Sequence, residues 1–138
     1  MRAFALLAAF CVVLSGAAGP ASAQPPEAPV AVPETPPGTP ALMFADDPAI
    51  VNAYPTRPQF WSRVADERMV RLHFSTGTPE CYGVSATVQE SATDVVVDLR
   101  TGTLPGAVDR ACIAIAVFGA VDVPLAQPLG NRRVLSLT

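Results

Sequence analysis

At 138 residues and a formal net charge of −3 at pH 7, with every one of its 9 cationic residues an Arg, the chain is sized for one domain. Its charge has the wrong sign to hold a nucleic acid or an anionic membrane surface. Half of the residues are hydrophobic, so a single core is expected.

The chain opens with Arg2, an apolar run over residues 3–14 and the small triplet Ala21-Ser22-Ala23. A basic residue, a hydrophobic stretch and an A-x-A-like cleavage site in that order predict a secretory signal peptide over residues 1–23. The run is shorter than the roughly 20 residues a membrane-spanning helix needs, and Gly16, Gly19 and Pro20 interrupt it. No later segment reads as a membrane span. Removing the leader takes Arg2 and leaves eight arginines against 12 acidic side chains. Cys11 goes with it, and Ala8, Ala9 and Phe10 before that cysteine form no lipobox. The expectation is a soluble exported protein, secreted or associated with the cell wall.

Cys81 and Cys112 remain, and two cysteines in an oxidising compartment read most simply as one disulfide. The alternative, a catalytic or metal-binding thiol pair, wants C-x-x-C spacing or a nearby His, and the sequence has neither.

Residues 24–40, QPPEAPVAVPETPPGTP, hold seven prolines and no aromatic residue. Such composition offers too little apolar area to offset the entropy of ordering, and predicts a disordered polyproline-II-like stalk over residues 24–44. The stalk reads as a bland leader, as a spacer, or as a ligand for a Pro-reading domain through Pro33 to Pro36 or Pro37 to Pro40.

The folded domain is expected over residues 45–138. Asp46-Asp47-Pro48, Tyr54-Pro55 and Arg57-Pro58 are turn signals, leaving only residues 49–52 for a short edge strand. Residues 61–68 read as one helical turn or a polar hairpin loop, taken as a loop leading into a strand. From Arg68 the period becomes two: Val70, Leu72 and Phe74 face a core, while Met69, Arg71 and His73 face water. Residues 81–90 form the next strand, with Tyr82, Val84, Ala86 and Val88 on one side. A short turn over residues 90–93 joins it antiparallel to residues 94–100, where Val95, Val97 and Leu99 point inward. A loop over residues 101–106 and one helical turn over residues 107–110 follow. Residues 111–118, ACIAIAVF, read as a central strand buried on both faces, broken by Gly119. Residues 121–125 predict another strand, at an edge or bulged because Pro124 lacks an amide donor. After the turn over residues 128–131, residues 132–137 form the last strand. About six short strands and no useful amphipathic helix predict an all-β fold, a small antiparallel immunoglobulin-like β-sandwich with one disulfide. That bridge would staple the two sheets. No Trp lies between the cysteines, so the antibody-type Cys-Trp-Cys pattern is missing.

Candidate chemistry is sparse. His73, the single His, reads as a surface residue beside Arg71, with no Ser in reach and no G-x-S-x-G elbow to make it a hydrolase base. One His and an oxidised Cys pair leave no zinc or copper ligand set, so no metal and no cofactor are expected. Asp94 and Asp98 share one strand face, but a glycosidase needs an aromatic cleft around two such groups. Asp46-Asp47 is not a D-x-D-x-D-G calcium loop. The cluster Tyr54, Phe60 and Trp61, with Arg57 and Arg63 nearby, carries the residue types of interface hot spots and is the candidate binding site. The same three aromatics also suit a plug closing the end of a small core.

The stretch GTPECY from Gly77, VQES from Val88, VVVDL from Val95, Cys112, VPL from Val123 and PLGNR from Pro128 resembles uncharacterised secreted proteins of high-GC Gram-positive bacteria. The likeness spans residues 61–134. It implies secretion, a β-rich fold and pairing of Cys81 with Cys112, and no activity, cofactor or site residue. The lack of Lys beside abundant Ala, Val and Pro fits the same composition bias. The functional expectation is a monomeric, non-catalytic binding or interaction module at the cell envelope, engaging an envelope or extracellular protein. A secreted enzyme inhibitor, presenting residues 102–106 or 124–128, or a small hydrolase, is the alternative.

Overall fold

A computed structural model describes residue 19 and residues 21–138. Residues 1–18 and 20, most of the expected signal peptide, lie outside the described residues. The chain forms β1 (Val30–Ala31), β2 (Leu42–Phe44), β3 (Val51–Pro55), β4 (Phe60–Arg63), β5 (Met69–Thr76), β6 (Tyr82–Glu90), β7 (Asp94–Thr103), β8 (Val117–Pro124) and β9 (Arg133–Ser136). A 3-10 turn over Pro105–Ala107 is the one helical element among the described residues.

The long period-two runs set the architecture. In β5, Val70, Leu72 and Phe74 alternate inward, and in β7 so do Val95, Val97 and Leu99; all six are fully buried. β7 is the spine of the first sheet. It pairs antiparallel with β6 from Tyr82↔Thr103 to Glu90↔Val95. Its opposite edge is shared by β9, parallel along Asp94–Val97, and by β3, antiparallel along Arg100–Thr103, with β1 outside β9. The second sheet has the order β2-β8-β5-β4. Its inward side chains, among them Phe44, Trp61, Leu72 and Val121, join Val84, Val97, Leu99 and Val134 of the first sheet in one core.

The fold is therefore all-β with two sheets, as the alternation predicts, but the sheets are mixed. β2 runs parallel to β8, and β9 parallel to β7. A wholly antiparallel arrangement is corrected on this point. Period-two patterning reports which side chains face inward, and it is blind to strand direction.

Three element assignments change as well. The expected strand over residues 111–118 begins only at Val117, leaving Ile113 and Ile115 exposed. The reason is the partner strand: β5 ends at Thr76, opposite Val117, and the turn at Gly77 to Pro79 leaves nothing for residues 111–116 to pair with. Gly119 does not break β8. It lies in the core where Phe44 and Phe74 rings pack at 5.5 Å between centroids, and the space for a side chain is filled by those rings. Pro124, as expected, lies at a local edge: it ends β8 opposite Met69, beyond the Gly119–Val121 stretch that pairs with β2, and because the Leu125 amide donates to the Arg68 carbonyl the nitrogen of Pro124 faces the unpaired side, where a missing donor costs little. Finally, residues 60–63 form a strand and not a loop, since Trp61 points into the core.

The Pro-rich segment departs most from its composition. Residues 24–29 belong to no strand, but Val30–Ala31 pairs with β9, Val32 is buried, and residues 33–35 run along the edge of β4. The Trp61 amide donates to the Pro33 carbonyl at 2.9 Å and the Thr35 amide to the Trp61 carbonyl at 2.8 Å. Seven residues after Thr35 the chain is β2, parallel to β8 at the far edge of the same sheet. Four strand spacings of about 4.8 Å make roughly 19 Å to cross. Seven residues reach roughly 25 Å at full extension. Because the inner face is filled by the core, residues 36–41 cross the outer face. Their footprint is visible: Ser62, His73 and Ala120 point away from the core yet are 1%, 0% and 0% exposed, while flanking Met43 and Phe60 are 46% and 39% exposed. The crossing begins with a turn, in which the Thr39 hydroxyl donates to the Pro36 carbonyl at 2.8 Å and Gly38 takes φ +79°. Pro-Pro-Gly-Thr is type II turn chemistry, with Pro at the second position and Gly supplying the positive φ.

Candidate binding surface

The three aromatics proposed as one site point three ways. Tyr54, on β3, is 53% exposed. Phe60 lies on the outer face of the second sheet, opposite His73. Trp61 is 6% exposed in the core, with the Arg63 guanidinium 5.5 Å from its ring centroid. The cluster is contiguous in sequence only, because successive residues of a strand face opposite ways.

Tyr54 does have apolar neighbours, and they come from elsewhere in the chain. After the 3-10 turn, residues 111–116 form no regular element, and their backbone pairs with no strand among the described residues. Cys112 is bonded to Cys81, whose Cα is 6.1 Å away at the entrance of β6, so the segment is pinned against the first sheet's end. The bridge thus ties β6 to the connection leading into β8, and not one strand to another. Ile113 and Ile115, 59% and 55% exposed, share with Tyr54 and Tyr82 a shallow hollow of about 240 Å³. The Tyr82 ring packs over Gly77 at its rim, in the space a side chain at position 77 would need. The sequence signal for this surface was the run of residues 111–116, read there as core.

His73 is not a surface residue. Its Nε2 lies 2.9 Å from Ser62 Oγ, its ring stacks on Phe118 at 5.6 Å, and Nδ1 has no hydrogen-bond partner. Contrary to the sequence reading, a Ser is within reach. The pair has the spacing of a nucleophile and its base, but both residues are buried and no carboxylate orients the imidazole. Burial, reinforced by the Arg71 cation and partly opposed by Asp122, holds the His73 pKa below its ordinary value. Arg71 itself donates from Nε and Nη2 to both oxygens of Asp122, at 2.6 and 2.8 Å. That bond is the main reason its pKa is raised.

The carboxylates are occupied by local structure. Asp94 accepts from Arg133 Nε at 2.7 Å and Asp98 from Arg100 Nε at 3.2 Å on the outer face of the first sheet. Asp46 accepts the Ala86 amide at 2.9 Å, and Asp47 the Ala49 amide at 2.9 Å. Among the described residues, no three His, Cys, Asp or Glu side chains converge as a metal site requires. None of their helices is long and apolar enough to cross a membrane. Of the two loops expected to be presented to an enzyme, Gly102 and Thr103 are the end of β7, and Ala126 and Gln127 are bonded through their amides to Glu90.

No protein-family model, curated protein or solved structure matches the chain.

Proposed function

We propose that this protein is an exported, non-catalytic binding module of the cell envelope, monomeric on its own, built on an immunoglobulin-like sandwich. It engages an extracellular protein through the apolar rim of Tyr54, Tyr82, Ile113 and Ile115. The observation that carries the reading is the exposure of Ile113 and Ile115 on a segment outside any strand that a disulfide pins. Bulky side chains held in place lose little freedom on binding, and backbone without a strand partner offers donors and acceptors to an incoming chain. The disulfide and the absence of a membrane-spanning helix among the described residues are compatible with export.

The test is site-specific photo-cross-linking in an envelope fraction, with the reactive residue at Ala114 or, for comparison, at Thr87 on the outer face of the first sheet. A discrete adduct from position 114, lost in the Ile113→Ser/Ile115→Ser variant, is expected. No adduct, or the same adduct from position 87, would refute it.

A second reading, a secreted inhibitor of an endopeptidase, is favoured by the same exposure, because an exposed apolar segment outside any strand and pinned by a disulfide can be presented to a protease cleft. Residues 111–116 then replace the loops over 102–106 and 124–128 as the inhibitory element. Stoichiometric inhibition of an endopeptidase that accepts small apolar residues would support it, and turnover of the segment as plain substrate would oppose it.

A further inference from the structure

We propose that residues 33–41 are an acid-released strap, held shut over the outer face of the second sheet by neutral His73 and lifted from it when the imidazole takes up a proton.

The argument starts from what the strap covers. Ser62, His73 and Ala120 form a buried stripe on a face that a sandwich ordinarily gives to water, and the stripe follows the path of residues 36–41. The strap is weakly held. Its backbone bonds to the sheet are those between Trp61 and Pro33 and between Thr35 and Trp61, with Glu34 and Arg63 meeting at 3.2 Å, exposed, at its edge. The Thr35–Thr39 hydroxyl contact and the Pro36–Thr39 turn are internal to it. Few buried contacts and few backbone bonds mark a segment that opens well before the domain unfolds.

What it seals is a group that cannot be charged in place. With Nδ1 unpartnered, the fitting tautomer carries its proton on Nε2 and donates it to Ser62 Oγ, leaving at Nδ1 only a lone pair. A second proton would put an N–H there with no acceptor, which costs more than an idle lone pair. The groups around the ring do not help. From its own strand comes the Arg71 cation, and from β8 the Asp122 carboxylate, whose two oxygens Arg71 already occupies. From β4 comes the neutral Ser62, while Phe118 covers one ring face. The strap's crossing, Pro-Pro-Gly-Thr-Pro-Ala, carries no titratable side chain; the one charged residue of the strap, Glu34, is engaged by Arg63, and the charges beside Pro37 and Gly38 are the cations Arg63 and Arg71.

The direction follows. The closed form binds the proton less readily than the open one, so closure is fully favoured above the ordinary His pKa of about 6.5 and weakens as pH falls below it. The open-to-closed ratio rises by at most about tenfold per pH unit. Lifting the strap uncovers the charged imidazolium of His73 beside Ala120, framed by the apolar side chains of Phe60, Met43 and Phe118, a surface distinct from the Ile113–Ile115 rim. It also frees a chain segment rich in Pro, so that acid surroundings switch on a surface unavailable at neutral pH.

Amide hydrogen exchange on the purified protein between pH 7.5 and 5, corrected for intrinsic rates, tests this. Protection at Thr35 and Trp61 should fall by up to about tenfold per pH unit below 6.5, while Leu72 and Val121 in the β5–β8 ladder hold. In His73→Phe the Thr35 and Trp61 protection should become flat with pH. Constant wild-type protection down to pH 5, or loss at Leu72 and Val121 in parallel, overturns the proposal. Should His73→Phe fail to fold, the imidazole of the wild type decides by NMR titration. A midpoint below about 6.5 is expected, and one at or above it is contrary to the strap.

Discussion

Arg132 and Glu90, 42 residues apart in sequence, meet at 2.8 Å with side chains only 10% and 16% exposed. Around them the loop between β8 and β9 is organised: Arg132 also donates to the carbonyls of Gln127, Pro128 and Leu129, and Glu90 accepts the amides of Ala126 and Gln127. Breaking such a pair strands the remaining charge and several carbonyls. Arg132→Met is expected to cost about 3 kcal/mol in urea unfolding at pH 7.

The same pair predicts an acid response. Burial alone would raise the Glu90 pKa, but the Ala126 amide, Arg132 and the Gln127 amide outweigh it and hold the carboxyl below its ordinary value. A carboxylate depressed in the folded state adds stability above its unfolded pKa of about 4.5, and that share is lost as pH falls. Unfolding free energy measured from pH 6 to pH 3 should therefore drop less in Glu90→Gln than in the wild type. An equal drop would place the acid sensitivity elsewhere.

Neighbouring Phe60 and Trp61 should behave oppositely. Trp61 fills the core and Phe60 lies on the outer face, so Trp61→Ala should cost about 3 to 5 kcal/mol and Phe60→Ala under about 1 kcal/mol, read from urea midpoints at constant slope. The plug reading of Trp61 then stands and the shared-patch reading does not.

How much of this was legible in the sequence depends on which physical quantity was being read. Alternation in β5, β6 and β7 is written in Val70, Leu72, Phe74, Val84, Val95, Val97 and Leu99, and the structure buries each of them. Two oxidisable cysteines are the bridge. What single-residue pattern does not encode is partnership. ACIAIAVF is as apolar as a core strand, but β5 stops opposite Val117, and the first six residues stay outside. His73 has the alternation of a solvent-facing residue, and its burial follows from a crossing segment more than thirty residues upstream together with the stacked Phe118 ring. That crossing was readable in part, since Pro-Pro-Gly-Thr is a turn with a mechanism inside a tract that composition alone makes a stalk.

Removing the bridge should loosen one region first. A cross-link closing about 31 residues contributes about 4 kcal/mol in the chain-entropy model. Cys81→Ala/Cys112→Ala should fall by that order in urea unfolding. Below the transition, residues 108–116 should gain amide exchange ahead of β7, because the bridge at Cys112 ties them to the first sheet while no backbone hydrogen bond among the described residues does.

Gly119→Ala tests how the short strand β2 is held. A methyl group at position 119 would lie 2.7 and 2.9 Å from two atoms of the Phe44 ring and 3.2 Å from the Phe74 ring, in a core with no room to give. Overpacking of this kind costs about 1 to 3 kcal/mol. Phe44 is the one buried residue of three-residue β2, whereas Phe74 is anchored in the middle of the second sheet. The strain should therefore be relieved by displacing β2, which is also the far anchor of residues 36–41. The expected outcome is faster amide exchange along residues 41–44 with β5 little changed. Phe44→Leu, costly alone, should cost measurably less in the Gly119→Ala background, because the smaller side chain makes room for the methyl. Additive costs in that double-mutant cycle would show that the two residues do not compete for the same space.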